Sequence, residues 1–134
     1  MLHLAPGTTL RDYEIQSVLG KGGFAITYLA IDKSLSKRVV LKELLPDGIA
    51  TRVDGVTVVT QTPAQADDFQ WAVASFLQEA KTLASFEHPN IVRISRLFED
   101  HGTAYIVMPF IEGKTLKQII NDKGIIIMFM LCYF

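Results

Sequence analysis

The chain has 134 residues, of which 49% are hydrophobic and 20% charged, and its formal net charge is −1. This composition is typical of one small soluble domain, and the balanced charge gives no indication of a nucleic-acid-binding or membrane-binding surface. A single cysteine, Cys132, excludes an internal disulfide framework. The first residues contain neither a charged segment nor a long apolar one, so we expect no export signal and a cytoplasmic location.

A glycine cluster follows the first apolar stretch of the chain. The sequence Leu-Gly-Lys-Gly-Gly-Phe-Ala occupies residues 19–25. The residues from Phe24 to Ile31 are rich in aromatic and β-branched side chains, which favour a strand. The glycines therefore join two strands, whereas a dinucleotide-binding glycine turn would open a helix. Glycines at such a turn let the backbone approach phosphate groups, although the cluster alone is a weak signal.

A lysine interrupts the next strand-like run, Val-Val-Leu-Lys-Glu at residues 39–43. A lysine in a strand usually extends to solvent. Because side chains alternate along a strand, Val40 and Lys42 share a face. An apolar side chain beside a cation suits a nucleotide base and its phosphates.

The segment between Glu43 and Asp67 is longer than a strand-to-helix connection requires. An Asp-Gly pair, Asp54 and Gly55, separates two β-rich runs, which predicts a hairpin with a two-residue turn. We interpret this hairpin as a surface insertion and assign it no catalytic role.

A helix is predicted from Asp67 to Phe86 because apolar residues recur there with helical spacing. Glu79 lies within about a sixth of a turn of Phe76 on a helix of 3.6 residues per turn, so its carboxylate should face inward. A carboxylate in a partly dry interior needs a partner, and Lys42 is the predicted one. The apolar positions of this stripe are Phe69, Val73, Phe76, Leu77, Ala80, Leu83 and Ala84.

In this order, the motifs resemble the amino-terminal lobe of a eukaryotic-like Ser/Thr protein kinase of the bacterial kind, from about Arg11 to Leu116. Residues 20–27 match Gly-x-Gly-x-x-Gly-x-Val except at Ala25 and Thr27, residues 39–42 match Val-Ala-Ile-Lys, and Glu79 stands where helix C supplies its glutamate. Residues 88–92 resemble the turn after that helix, and residues 105–113 resemble the strand entering the hinge. Residues 42–52 resemble an insertion found in a subgroup of bacterial kinases.

The resemblance implies an α+β fold with a five-stranded antiparallel sheet, one main helix (helix C) and an inserted hairpin. It implies transfer of the γ-phosphoryl group of ATP to Ser or Thr of a protein substrate, with Mg²⁺. Lys42 would hold the α/β-phosphates and Glu79 would orient Lys42. Pro109 would offer the adenine edge a carbonyl but no donor. The implied nucleotide-binding residues are Leu19, Gly20, Lys21, Gly22, Gly23, Phe24, Thr27, Val40, Lys42, Met108, Pro109 and Ile111.

Two motifs of the family do not occur in these 134 residues: the His-Arg-Asp-x-x-x-x-Asn loop and Asp-Phe-Gly, which supply the base and the magnesium ligands. The spacing of the three histidines suggests no metal site or triad. Residues 113–115 imitate the end of a P-loop, but Met108 stands where its first glycine would be needed. We therefore expect the chain alone to be inactive.

The sequence divides into an N-terminal segment (1–10), an incomplete kinase lobe (11–124) and an apolar tail (125–134). The tail is too short for a bilayer, which needs about 20 residues, and we expect it to reflect an early stop or a shifted reading frame. Two alternatives stay open: a non-catalytic nucleotide-binding or interaction module, and a non-functional gene remnant.

Overall fold

The structure, a computed structural model, describes residues 2–85 and 93–110. These residues form two antiparallel sheets and one long helix, as the α+β prediction requires. The strands are β1 (Thr9–Leu10), β2 (Tyr13–Lys21), β3 (Ala25–Asp32), β4 (Lys37–Leu44), β5 (Ala50–Val53), β6 (Thr57–Thr60), β7 (Arg96–Asp100) and β8 (Thr103–Pro109). A short 3₁₀ turn (Pro63–Gln65) leads into the helix α1 (Ala66–Ala84).

The main sheet has the strand order β1-β2-β3-β4-β8-β7, and every pairing in it is antiparallel. It has six strands rather than the predicted five. The sixth strand, β1, is only two residues long and pairs Leu10 with Tyr13 across a turn in which Arg11 has a positive φ. Burial of Leu10 explains why so short a strand is retained.

The register of the sheet separates two faces around β4. Residues directly opposite each other in an antiparallel pair share a face. Lys42 lies opposite Thr27 of β3 and Ile106 of β8, and we call this side the lysine face. The next residue, Glu43, lies opposite Tyr105, and we call this side the glutamate face.

Helix α1 begins one residue earlier than predicted and ends at Ala84. Asp67 and Asp68 in its first turn complement the positive end of the helix dipole. The buried positions are Phe69, Phe76 and Ala80, as the stripe predicted, whereas Ala84 is exposed. Within the described part of the chain, no helix combines the length and apolar character needed to cross a bilayer.

The inserted hairpin is present as β5 and β6, but its turn has three residues rather than two, since Val53 pairs with Thr57. Asp54 and Gly55 both have positive φ. The Asp54 carboxylate accepts the backbone N–H of Thr57 at 2.9 Å and that of Val56 at 3.1 Å. With Val56 inside the turn, its backbone N–H becomes a second hydrogen-bond donor to the Asp54 carboxylate. This hydrogen bond explains why the turn has three residues rather than two.

Candidate functional site

Lys42 lies in the middle of β4 and is 0% exposed. As predicted from strand alternation, Val40 is on the same face, and Val40 lies opposite Met108. Thr27, Val40 and Met108 are all buried. On the lysine face, three neighbouring strands therefore place a cation beside two apolar side chains and one hydroxyl.

Glu79 projects from α1 and is half-buried. Burial raises the pKa of Glu79, and the positive charge of Lys42 lowers it by less, so the net shift is upward. The helix thus brings the carboxylate within electrostatic range of the ammonium group, which is what the predicted pair requires.

The glycine turn connects β2 to β3, as the sequence indicated. The N–H of Gly22 donates to the carbonyl of Ala25 at 2.9 Å, and the carbonyl of Gly23 accepts the N–H of Asp47 at 2.8 Å. The carbonyl of Phe24 accepts the N–H of Leu45, also at 2.8 Å. The turn is therefore fastened to the first residues after β4.

A side chain at Gly23 would meet no described atom, because a Cβ built there has nothing within 4 Å. Space above this glycine is consistent with the approach of a ligand to the backbone. The register of β2 shifts between Val18 and Gly20, just before the turn, and such bulges re-aim a strand.

The remaining predicted residues lie around the edge of this arrangement. Leu19 and Phe24 are 38% and 52% exposed, and Pro109 is also exposed. Gly20 pairs with Thr27 on the lysine face, whereas Lys21 pairs with Ile26 on the glutamate face. The two lysines therefore point to opposite sides of the sheet. Ile111 lies outside the described residues, as do the motif at residues 88–92 and the tail.

The described residues can also be searched for side chains that could bind Mg²⁺. The described residues contain no group of three or more His, Cys, Asp or Glu that could hold a metal ion. These residues therefore do not fit the Mg²⁺ that the family resemblance implies.

A buried polar cluster that no sequence pattern predicted lies on the opposite side of β4 from Lys42. Glu43 is 0% exposed, and its Oε1 accepts a hydrogen bond from Tyr28 at 2.8 Å. Its Oε2 accepts one from Tyr105 at 2.6 Å. The guanidinium of Arg52, from the inserted hairpin, donates to Oε1 through Nη2.

Arg52 is buried in the same cluster, with 1% of its side chain exposed. Its Nε donates to the carbonyl of Leu2 and its Nη1 to the carbonyl of Val56, each at 2.6 Å. The hairpin is therefore not a loosely attached surface insertion, because it contributes a buried cation to the back of β4.

Burial and the charges of this cluster shift the pKa values of its titratable groups. Burial, followed by the charge of Glu43, raises the pKa of Tyr28 and that of Tyr105. Burial lowers the pKa of Arg52, but the hydrogen bond and the charge of Glu43 outweigh it, so the net shift is upward. Both tyrosines thus stay protonated donors and Arg52 stays charged.

One sequence signal pointed toward this cluster. Val39 and Leu41 are apolar on the face that alternation assigns to Glu43, so that face had to be buried too. A glutamate in such a strand requires partners. Nothing in the spacing identified Arg52 as one of them.

The comparisons with known proteins agree with this geometry. The sequence matches the family model described as "Protein kinase domain" over residues 13–129. It is 34% identical over 113 residues to serine/threonine-protein kinase PknD of Chlamydia trachomatis and 37% identical over 112 residues to serine/threonine-protein kinase PrkC of Bacillus subtilis. Each alignment covers 84% of this chain but only 10% of PknD and 14% of PrkC.

Solved structures show the same likeness. The structure titled "PpkA-294 apo form" superposes with a TM-score of 0.81 at 36% identity, covering 90% of this chain and 43% of that chain. The Mycobacterium tuberculosis PknI kinase domain is similar in fold, with a TM-score of 0.56 at 24% identity, covering 90% of this chain and 41% of that chain. Within residues 2–85 and 93–110, the six-stranded sheet and helix α1 thus have the small-lobe fold of these enzymes.

Proposed function

Because this chain belongs to the protein kinase family, we propose that it is the ATP-binding lobe of a protein Ser/Thr kinase. The observation that carries the proposal is the lysine face of the sheet. There, a fully buried Lys42 shares a surface with Thr27, Val40 and Met108 and lies within electrostatic range of Glu79.

The roles follow from the chemistry of each group. The ammonium group of Lys42 binds the α/β-phosphates, and Glu79 orients it. The turn of Gly20, Gly22 and Gly23 lets the backbone come close to the phosphates.

The adenine would lie on the apolar part of the same face. Val40 and Met108 pack against the base, with Leu19 at the rim. Thr27 places a hydroxyl where the family pattern has valine, and this polar group on the apolar face weakens the packing against the base. Pro109, through its carbonyl, and Ile111, through its backbone, meet the edge of the adenine.

Calorimetric titration of ATP tests this assignment with two matched variants. Lys42→Ala and Lys21→Ala each remove one lysine from the same lobe: Lys42 is buried on the lysine face, and Lys21 is exposed at the end of β2. We expect weak binding by the parent chain, a larger loss from Lys42→Ala and little change from Lys21→Ala. Equal losses, or a larger loss from Lys21→Ala, would place the phosphates elsewhere.

In the intact family, the lobe serves transfer of the γ-phosphoryl group to Ser or Thr of a protein. We propose that the 134-residue chain binds nucleotide without catalysing this transfer, since its sequence lacks the base and metal-binding motifs. Incubation with labelled ATP, Mg²⁺ and generic protein substrates should give no incorporation above background. Incorporation that depends on Mg²⁺ and is lost in Lys42→Ala would refute this.

The remaining assignments belong to the same proposal. Residues 11–124 form the incomplete kinase domain, with residues 1–10 before it and the apolar residues 125–134 after it. The cytoplasm is its proposed compartment because ATP is available there.

A further inference from the structure

We propose that Arg52, on the inserted hairpin, is a positioning residue for Lys42, acting through Glu43. This inference rests on the proposed phosphate-binding role of Lys42. It assigns the hairpin a function at the nucleotide site, although the hairpin lies on the other side of the sheet.

The geometry of β4 couples Lys42 to Glu43. Lys42 and Glu43 are consecutive residues with side chains on opposite faces, and one rigid peptide unit joins them. A twist or shift of the strand at this point moves both side chains at once. Fixing the carboxylate on one face therefore fixes the direction of the ammonium group on the other.

Several elements of the lobe hold the Glu43 carboxylate. Tyr28 comes from β3 and Tyr105 from β8, the two strands that flank β4. Arg52 comes from β5 and also holds the carbonyls of Leu2 and Val56. The carboxylate thus ties β4 to both neighbouring strands, to the hairpin and to the N-terminal segment.

The contact between Arg52 and Glu43 is also electrostatic. Arg52 supplies the positive charge in hydrogen-bond contact with Glu43, and both side chains are fully buried. A buried carboxylate that loses its counter-charge is strongly destabilised and has to move toward other donors or water. Such a movement pulls on β4 at the residue next to Lys42.

The residues between β4 and the hairpin also fasten the glycine turn. The hydrogen bonds from Leu45 and Asp47 to the carbonyls of Phe24 and Gly23 come from the first residues after β4. Residues 45–60 therefore contact the glycine turn directly and reach β4 at Glu43, the residue next to Lys42.

A positioning role and a purely stabilising role predict different binding data. Loss of stability alone lowers the folded fraction and weakens the binding of every ligand by the same factor. Displacement of Lys42 weakens ATP selectively, because adenosine has no phosphates to contact the ammonium group. The ratio of ATP to adenosine affinity separates the two.

Calorimetry on the full chain therefore compares the parent with Arg52→Met, Arg52→Lys and Leu10→Ala. Leu10 is a buried residue on β1, three strands away from β4, and serves as the destabilised control. We expect the affinity ratio to fall roughly tenfold in Arg52→Met, to recover in part in Arg52→Lys and to stay constant in Leu10→Ala. In a Lys42→Ala background, Arg52→Met should leave the ratio unchanged. A constant ratio in Arg52→Met would overturn the proposal.

A second readout needs no ligand. The ¹³Cε resonance of Lys42, assigned through Lys42→Arg in lysine-labelled protein, should move in Arg52→Met and stay in place in Leu10→Ala. If the parent chain binds no ATP, the proposed function fails, and this resonance alone decides the positioning role. An unmoved resonance in Arg52→Met would refute that role. If Arg52→Met does not fold, Arg52→Met with Glu43→Leu removes both charges together, and the same shift is expected.

Discussion

A single added methyl group at Gly102 should detach the inserted hairpin from the sheet. Gly102 lies in the turn between β7 and β8 with φ +79°, and a Cβ there would lie 2.3 Å from the carbonyl oxygen of Val58 in β6. The same strand is held to this turn by the N–H of Val58, which donates to the carbonyl of His101 at 2.8 Å. The contacted atom belongs to the backbone, so no side-chain rotation can relieve the clash.

Gly55→Ala is the control that separates the cost of the positive φ from the cost of the clash with Val58. Gly55 also has φ +79°, but a Cβ there meets nothing within 4 Å. The positive φ costs an alanine about 1–2 kcal/mol, and the stiffer unfolded chain returns about 0.4–1 kcal/mol, so Gly55→Ala should lose about 1 kcal/mol. Gly102→Ala adds the displacement of Val58, with its hydrogen bond worth about 0.5–1.5 kcal/mol and part of its buried contact. We expect a total of about 2–4 kcal/mol.

Urea denaturation of both variants and the parent measures this difference in the free energy of unfolding. A loss in Gly102→Ala that exceeds the loss in Gly55→Ala by about 1 kcal/mol or more supports the described docking of the hairpin. Equal losses would show that Val58 does not lie against the turn and would contradict the docking of the hairpin behind β4.

Two further predictions concern the polar groups of the lobe. Tyr105→Phe should lower the free energy of unfolding by about 1.5–3 kcal/mol, since it removes a hydrogen bond to the buried Glu43 carboxylate. The control is Tyr13→Phe, because the Tyr13 ring also stacks on Phe98, and it should lower the free energy of unfolding by clearly less in the same urea titration. Equal losses in the two variants would show that the hydrogen bond to Glu43 does not stabilise the fold. The pKa of Glu79 is raised from its ordinary value of 4.5, so its contribution to stability is full below that value and is lost as the pH rises through the folded-state pKa. Glu79→Gln should therefore raise the melting temperature at pH 7 relative to the parent but not at a pH below 4.5, and a variant that is less stable at pH 7 would contradict this sign.

Much of the lysine face could be predicted because it depends on local periodicity. Strand alternation was enough to put Val40 and Lys42 on one side. Helical spacing was enough to turn Glu79 toward the sheet. The glycine turn was identified as a strand connection from the β-branched residues that follow it.

The features that were missed depend on contacts between distant segments. Alternation places Glu43 on a buried face, but only the docking of the hairpin brings Arg52 to it, and no local pattern specifies that docking. The extra strand β1 was missed because two residues are too few to show a period. The turn at Asp54 was predicted one residue too short because its length depends on which backbone groups the carboxylate binds.

The claim that ATP binds on the lysine face is tested most directly by an NMR titration of the ¹⁵N-labelled chain with ATP. The account predicts that the largest amide shifts fall on Gly20, Thr27, Lys42 and Met108, and that these shifts are lost in Lys42→Ala. Shifts centred instead on the far side of α1 near Trp71 or on β6, or no shifts at millimolar ATP, would contradict it.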